Sequence, residues 1–201
     1  MPLIHVFDLG GVLLPFDDER FFERVRPRCR PGTSLRDELA RRYDRAGVEL
    51  GKDFASLYHG LVADLDLDMT LEELTRAFND IFEPNEPMWE IVRNAPHPRF
   101  LLSNTNEPHV TWIREQYPEL FPLFDGLVLS NEVGMRKPDP GIYHCVESLS
   151  GAPPEEHIFI DDVEEYVEAA RAVGWQAVRF VDTEDCARRL SEANARAEVL
   201  D

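Results

Sequence analysis

Five short apolar runs punctuate the chain: Leu3–Phe7, Arg99–Leu102, Gly126–Leu129, His157–Ile160 and Gln176–Val181. Each has the length of a strand and is apolar at successive positions rather than alternate ones, the pattern of strands buried on both faces. Between them the period changes to that of helices. Asn106 is placed as an N-cap with Pro108 in the first turn, and the pattern runs to about Gln116. Asp139 precedes Pro140 and predicts a helix ending near Gly151. Val163, Val167 and Ala170 share one face of a helix ending near Gly174, and Thr183 is placed to cap the last helix. Strands alternating with helices predict an α/β fold, a Rossmann-like parallel sheet with helices on both faces.

The alternation is interrupted once. Between the first apolar run and the second there is almost no strand signal. Phe54, Leu57, Tyr58, Leu61, Val62 and Leu65 recur at helical spacing, as do Leu71, Leu74, Phe78, Ile81 and Phe82. The second set follows a capping box, Thr70 with Glu73. The segment predicts a small all-helical domain, residues 16–86, inserted into an α/β core made of residues 1–15 and 87–201.

Composition narrows the class. A length of 201 residues with 43% hydrophobic content suits one core domain and a modest insertion. Twenty-one basic residues stand against 39 acidic, a formal charge of −18. So acidic a surface repels nucleic acid and anionic lipid, and neither is an expected partner. An anionic substrate would need positive charge supplied by the site itself. Cys29, Cys145 and Cys186 have no metal or redox spacing and read as reduced thiols. With no run of membrane-spanning length and no signal-peptide pattern, the expectation is a cytoplasmic protein. Oligomeric state is not legible.

Ligands of open parallel sheets bind beyond the carboxyl ends of the strands. Those ends carry Asp8, then Ser103 and Asn104, and finally the pair Asp161 and Asp162; Lys137 precedes the helix at Pro140. Taken singly, each has an ordinary reading as a cap, a turn former or a solvated side chain. Taken together, in this order, they place a carboxylate nucleophile, a hydroxyl, a lysine and an acidic pair at one mouth.

The stretches "VFDLGGVL", "LLSNTN", "GMRKPDPGIY" and "IFIDDVEEYVEAARAVGW" resemble the four motifs of the haloacid dehalogenase-like superfamily, in order and over nearly the whole chain. The helical insertion resembles that superfamily's type-1 cap. The branch resembled includes an α-D-glucose-1-phosphate phosphatase, although the motifs alone do not transfer that substrate. The resemblance implies a Mg²⁺-dependent phosphatase acting on a small phosphorylated metabolite, with a sugar phosphate as the candidate its branch suggests. Asp8 would be the nucleophile and form an aspartyl-phosphate, and a carboxylate needs no base for that role. Ser103 and Asn104 would hold phosphoryl oxygens. Lys137 would neutralise phosphate charge and steady the nucleophile. Asp8, the Gly10 carbonyl and Asp162 would hold Mg²⁺, with Asp161 an alternative ligand or a support behind it.

Two positions depart from that pattern. Most phosphatases of the superfamily carry a second Asp two residues after the nucleophile, as general acid and base; here the residue is Gly10. Many also carry Asp or Asn at the position of Tyr166. Asp17 is placed to reach back as a substitute acid, although capping the helix at Asp18 is its ordinary role. Arg45, Lys52, Tyr58, His59 and Trp89 are candidates for the mouth, each with an ordinary surface or core role. Two other readings compete. A metal-independent 2-haloacid dehalogenase also lacks the second Asp, but replaces the acidic pair with uncharged residues. A non-catalytic binding module would keep the fold alone.

Overall fold

The computed structural model describes residues 3–32 and 34–199; the outermost positions of the expected core domain lie outside them. The elements in chain order are β1 (Ile4–Phe7), α1 (Asp18–Val25), α2 (Leu35–Ala46), α3 (Phe54–Leu65), α4 (Leu71–Asn79), α5 (Glu86–Asn94), β2 (Arg99–Ser103), α6 (Glu107–Gln116), β3 (Gly126–Leu129), α7 (Ser130–Val133), α8 (Pro140–Ser150), β4 (His157–Asp161), α9 (Glu164–Ala172), β5 (Gln176–Arg179) and α10 (Thr183–Val199). The strands form one parallel sheet in the order β3-β2-β1-β4-β5. This is the Rossmann-like architecture expected from the apolar runs. β1, β2 and β4 are buried at every position, while β5, at the edge, is largely exposed.

The pleat sorts side chains between two helical layers. Phe7 packs with Met88, Trp89, Val110, Ile113 and Leu190 on the α5, α6 and α10 side. Ile4 and Val6 pack with Ile142, Tyr143, Val146 and Ala170 on the α8 and α9 side. Burying a side chain of this size contributes about 1.5–3 kcal/mol before chain entropy is subtracted. Trp89 is fully buried and donates its indole N–H to the Leu13 carbonyl at 2.9 Å, so it belongs to the core.

Helices α1 to α4 bury a separate apolar cluster, including Phe21, Phe22, Phe54, Leu57, Leu61, Leu74 and Phe78. Phe82 touches this cluster and that of the core. The chain enters and leaves the helical layer through two segments that hold each other: Asp17 N–H donates to the Ile81 carbonyl, Glu83 N–H to Pro15 and Asn85 N–H to Leu13, at 2.9–3.0 Å. The capping box at Thr70 and Glu73 forms with both hydrogen bonds.

The remaining differences are local. Asp182 rather than Thr183 caps α10, accepting from Asp185 N–H at 2.8 Å. Val163 precedes α9 and is 37% exposed instead of sharing the buried face of Val167 and Ala170. Among the described residues no helix is long and apolar enough to cross a membrane.

Candidate active site

Parallel pairing brings the carboxyl ends of β1, β2 and β4 side by side, and the charged groups follow from that. Asp8 continues β1, with its N–H on the Ile160 carbonyl at 2.9 Å. Its Oδ1 accepts from Leu9 N–H at 2.7 Å and meets Lys137 Nζ at 2.8 Å. Lys137 is 1% exposed and also meets Asp161 Oδ2 at 2.6 Å and the Leu102 carbonyl at 3.3 Å. Asp161 Oδ1 accepts from Val163 N–H at 2.8 Å, so both of its oxygens are occupied within the protein. Asn104 fixes the lysine from behind. Its Oδ1 accepts from Lys137 N–H at 2.8 Å and its Nδ2 donates to the Lys137 carbonyl at 2.9 Å. The Asn104 side chain is thereby engaged with the lysine backbone, while Ser103, also buried, reaches only the Asn104 carbonyl at 3.4 Å.

Asp162 is half-buried, and one oxygen each from Asp8, Asp161 and Asp162 lies within 4.8 Å of the others. Burial pushes the Asp8 carboxyl up to about 8; Lys137 opposes the rise and Asp161 adds to it. Burial likewise raises Asp162, with Asp161 contributing. Burial alone would lower Lys137, but Asp8 and Asp161 outweigh it and hold the ammonium charged. Three carboxylates thus face one ammonium. A hard divalent cation with oxygen ligands fits that donor set, because it supplies the missing positive charge.

The two glycines after Asp8 have different causes. Gly11 has φ of +75°, and a Cβ there would lie 2.4 Å from Asp162 Oδ2, so only glycine fits. Gly10 has no positive φ, and a Cβ would meet only the Phe16 ring, 3.4 Å from Cε1 and 3.7 Å from Cδ1. The backbone does not require glycine at position 10. A side chain at position 10 would lie against the ring of Phe16, which is 54% exposed.

Over this mouth lies a cavity of about 400 Å³, walled by Leu9, Gly10, Ser103 and Asn104 below and by residues of α1, α2 and α4 above. Leu9, Gly10, Ser103 and Asn104 adjoin Asp8, Lys137 and the acidic pair, which do not themselves line the cavity; a larger hollow of about 560 Å³ lies beside His5, between α5 and α10. Arg45, Lys52, Tyr58, His59 and Trp89 do not line the cavity over the mouth. Asp17 caps α1, accepting from Glu19 N–H at 3.1 Å; its neighbour Asp18 is the one that lines the cavity. The sequence reading missed Tyr43, Asn106 and His109 as lining residues. Asn106 was legible only as a cap, and it does accept from His109 N–H at 3.0 Å.

These three form a closed set. Asn106 Nδ2 donates to Tyr43 Oη at 2.9 Å and lies 3.1 Å from His109 Nδ1. His109 Nε2 lies 3.2 Å from the Phe78 carbonyl, which can only accept, so Nε2 carries the proton and Nδ1 accepts. Burial lowers His109 to about 4, leaving it neutral and stacked on Phe78 with ring centroids 4.3 Å apart.

Comparison with known proteins places the chain. The sequence profile of the haloacid dehalogenase-like hydrolases matches residues 5–174, and the chain belongs to that family. A sesquiterpene phosphatase of Aspergillus oryzae is 29% identical over 185 residues, 89% of each chain. A D-ribitol-5-phosphate phosphatase of Bacteroides thetaiotaomicron is 27% identical, over 85% of this chain and 88% of its own. Within the family the protein is therefore a phosphatase-like hydrolase. A crystal structure of a family enzyme from B. thetaiotaomicron superposes with a TM-score of 0.80 at 24% identity, covering 89% of this chain and 93% of that one. The same enzyme has been crystallised with magnesium and inorganic phosphate, and that form gives a TM-score of 0.79. The substrates named by these relatives differ, so the match to the glucose-1-phosphate branch stays at the level of motifs.

Proposed function

We propose that the protein is a Mg²⁺-dependent phosphatase that hydrolyses a small phosphate monoester through an aspartyl-phosphate on Asp8. The observation that carries this reading is the buried Lys137 held between Asp8 and Asp161, with Asp162 alongside, at the carboxyl end of the sheet and next to a cavity of about 400 Å³. The activities named by its relatives support the same chemistry.

Leu9 N–H and Lys137 both bind Asp8 Oδ1, which leaves Oδ2 for attack on phosphorus. The P–O bond to the alcohol breaks as the Asp8 Oδ2–P bond forms, and the alcohol oxygen leaves with its electron pair and takes a proton from water. Water then attacks phosphorus, releasing inorganic phosphate and restoring the carboxylate. Lys137 neutralises charge on the transferring group, and Ser103 stands beside it. Asp8, the Gly10 carbonyl and Asp162 would hold Mg²⁺, with Asp161 behind them keeping Lys137 in place. When bound, the cation supplies charge neutralisation between the carboxylates and the incoming phosphate. Residues 16–86 act as the cap, residues 1–15 and 87–201 as the core, and the three unpaired cysteines suit a cytoplasmic setting.

The test is phosphate release from an aryl phosphate with and without Mg²⁺, in wild type and in Asp8→Asn. Turnover is expected only with the cation, and only in wild type, while Asp8→Asn unfolds at an unchanged temperature. Asp162→Asn should raise the Mg²⁺ requirement by about tenfold or more. Full activity in Asp8→Asn ends this reading. Chloride release from a 2-chloroacid in excess chelator would replace it with the dehalogenase.

A further inference from the structure

A sugar phosphate, the substrate toward which the motif resemblance points, needs partners for its hydroxyls. The cavity offers few that are free. Leu9, Phe16, Phe22, Leu39, Phe78 and Phe82 make up much of its wall, and most of the polar side chains between them have partners within the protein. Asn106, Tyr43 and His109 satisfy one another as described. The Glu49 carboxylate, which helps push the Tyr43 hydroxyl up, pairs with Arg136 at 3.3 Å. Arg36 pairs with Asp18 at 2.9 Å and with Glu19, and its guanidinium lies 4.0 Å from the centre of the Phe22 ring. A hydroxyl-rich ligand would have to break the set made by Tyr43, Asn106 and His109 or leave its own buried groups unsatisfied, at about 1–3 kcal/mol for each; the exposed Arg36 pair adds less.

A second, independent observation agrees. No acid stands at position 10, and the space a leaving-group acid would occupy faces the exposed ring of Phe16. At position 10 the cavity is therefore bordered by an aromatic ring and not by an acid.

We infer that the substrate is the phosphate monoester of an apolar alcohol, whose hydrocarbon body fills the cavity beneath α2 and α4. This rests on the phosphatase reading and specifies its substrate class. The phosphate sits at the mouth against Lys137, and the hydrocarbon displaces water from Phe16, Leu39, Phe78 and Phe82. Hydrolysis forms a bond from phosphorus to Asp8 and breaks the phosphorus bond to the alcohol oxygen, which is released as the free alcohol.

The test compares cyclohexylmethyl phosphate with glucose 6-phosphate. Both expel a primary alkoxide attached to a six-membered ring, and the sugar is if anything the better leaving group, so a preference for the hydrocarbon comes from the cavity. The expected kcat/KM is at least about tenfold higher for cyclohexylmethyl phosphate. In a series of straight-chain alkyl phosphates, whose leaving groups are nearly alike, kcat/KM should rise about fourfold per methylene until the cavity is full. Leu39→Asn and Phe16→Ser should each narrow the cyclohexylmethyl-to-glucose ratio; the exposed position of Phe16 keeps the second variant informative if the first fails to fold. Equal or faster hydrolysis of glucose 6-phosphate, or a flat chain-length series, would overturn the inference while leaving the phosphatase intact. Hydrolysis of no ester at all, with Mg²⁺ present, would overturn both.

Discussion

The floor and the roof of the cavity are built on opposite electrostatic plans. Adjoining the floor residues Leu9, Gly10, Ser103 and Asn104, the carboxylates of Asp8, Asp161 and Asp162 crowd one buried lysine, and the local charge does not cancel. On the roof, Arg36 with Asp18, Glu49 with Arg136, and Tyr43 with Asn106 and His109 cancel within the protein. An arrangement left unbalanced keeps high-energy groups for a ligand to stabilise. A balanced one offers only shape and apolar surface. The floor therefore points to charge chemistry, and the roof to a hydrocarbon.

The largest effect expected from breaking the floor, after loss of the nucleophile itself, comes from Lys137→Met. Removing one preorganised cation should lower kcat by about 10²- to 10³-fold. It also leaves Asp8 and Asp161 buried without a counter-charge, a destabilisation of about 3–5 kcal/mol. Thermal unfolding without added metal reads that loss, and a variant as stable as wild type would mean that the lysine charge is not needed to balance the buried carboxylates.

Gly10→Asp joins floor to roof. The backbone accepts a side chain there, with Phe16 as its only close neighbour. General acid help is worth roughly 10²- to 10⁴-fold, most for poor leaving groups. The ratio of kcat/KM for phenyl phosphate over hexyl phosphate should therefore be large in wild type and fall by at least about tenfold in the variant. A wild-type enzyme indifferent to its leaving group would point to an acid already in place, and Asp18, which lines the cavity, would be the first to replace.

On the roof, His109 gives a smaller and purely thermodynamic signal. Its folded pKa of about 4 lies below the ordinary 6.5, so the unfolded chain binds the extra proton between those values. Its contribution to stability is complete above about pH 6.5 and is lost as pH falls toward 4, by at most about 3 kcal/mol. His109→Gln should flatten that part of the stability curve relative to wild type in chemical denaturation. An unchanged slope would show that the imidazole is solvated and that the roof is wetter than its contacts imply.

The smallest effect separates the two glycines. Gly11→Ala should cost about 1–2 kcal/mol from the left-handed backbone, and more from the displaced Asp162, so its Mg²⁺ requirement should rise as well. Gly10→Ala should stay within about 1 kcal/mol of wild type. Equal costs would refute the distinction drawn between them.

Sequence alone determined the floor. Runs of apolar residues as short as Ile4–Phe7 suit only strands buried on both faces, and parallel strands of that kind align their carboxyl ends. Asp8, Ser103 and Asp161 had nowhere else to converge, and the motifs around them added roles to positions already implied. The capping box at Thr70 and the cap at Asn106 were legible for the same reason, since each depends on a few neighbouring residues. The roof was not legible. α2 is highly polar, buries only Leu35 among its residues, and gives little periodic signal, yet Arg36, Leu39 and Tyr43 on it line the cavity. Tyr43 meets Asn106 across 63 positions of sequence, and Phe78 meets His109 across 31. Nor could the sequence tell Gly10 from Gly11, because the reason for each lies in a side chain brought from elsewhere, Phe16 in one case and Asp162 in the other. Local patterns determine which elements form, because their energies are set within a turn or a strand pair. The lining of a cavity is decided by where whole elements come to rest against one another, and only the packing of the helical layer onto the sheet fixes that.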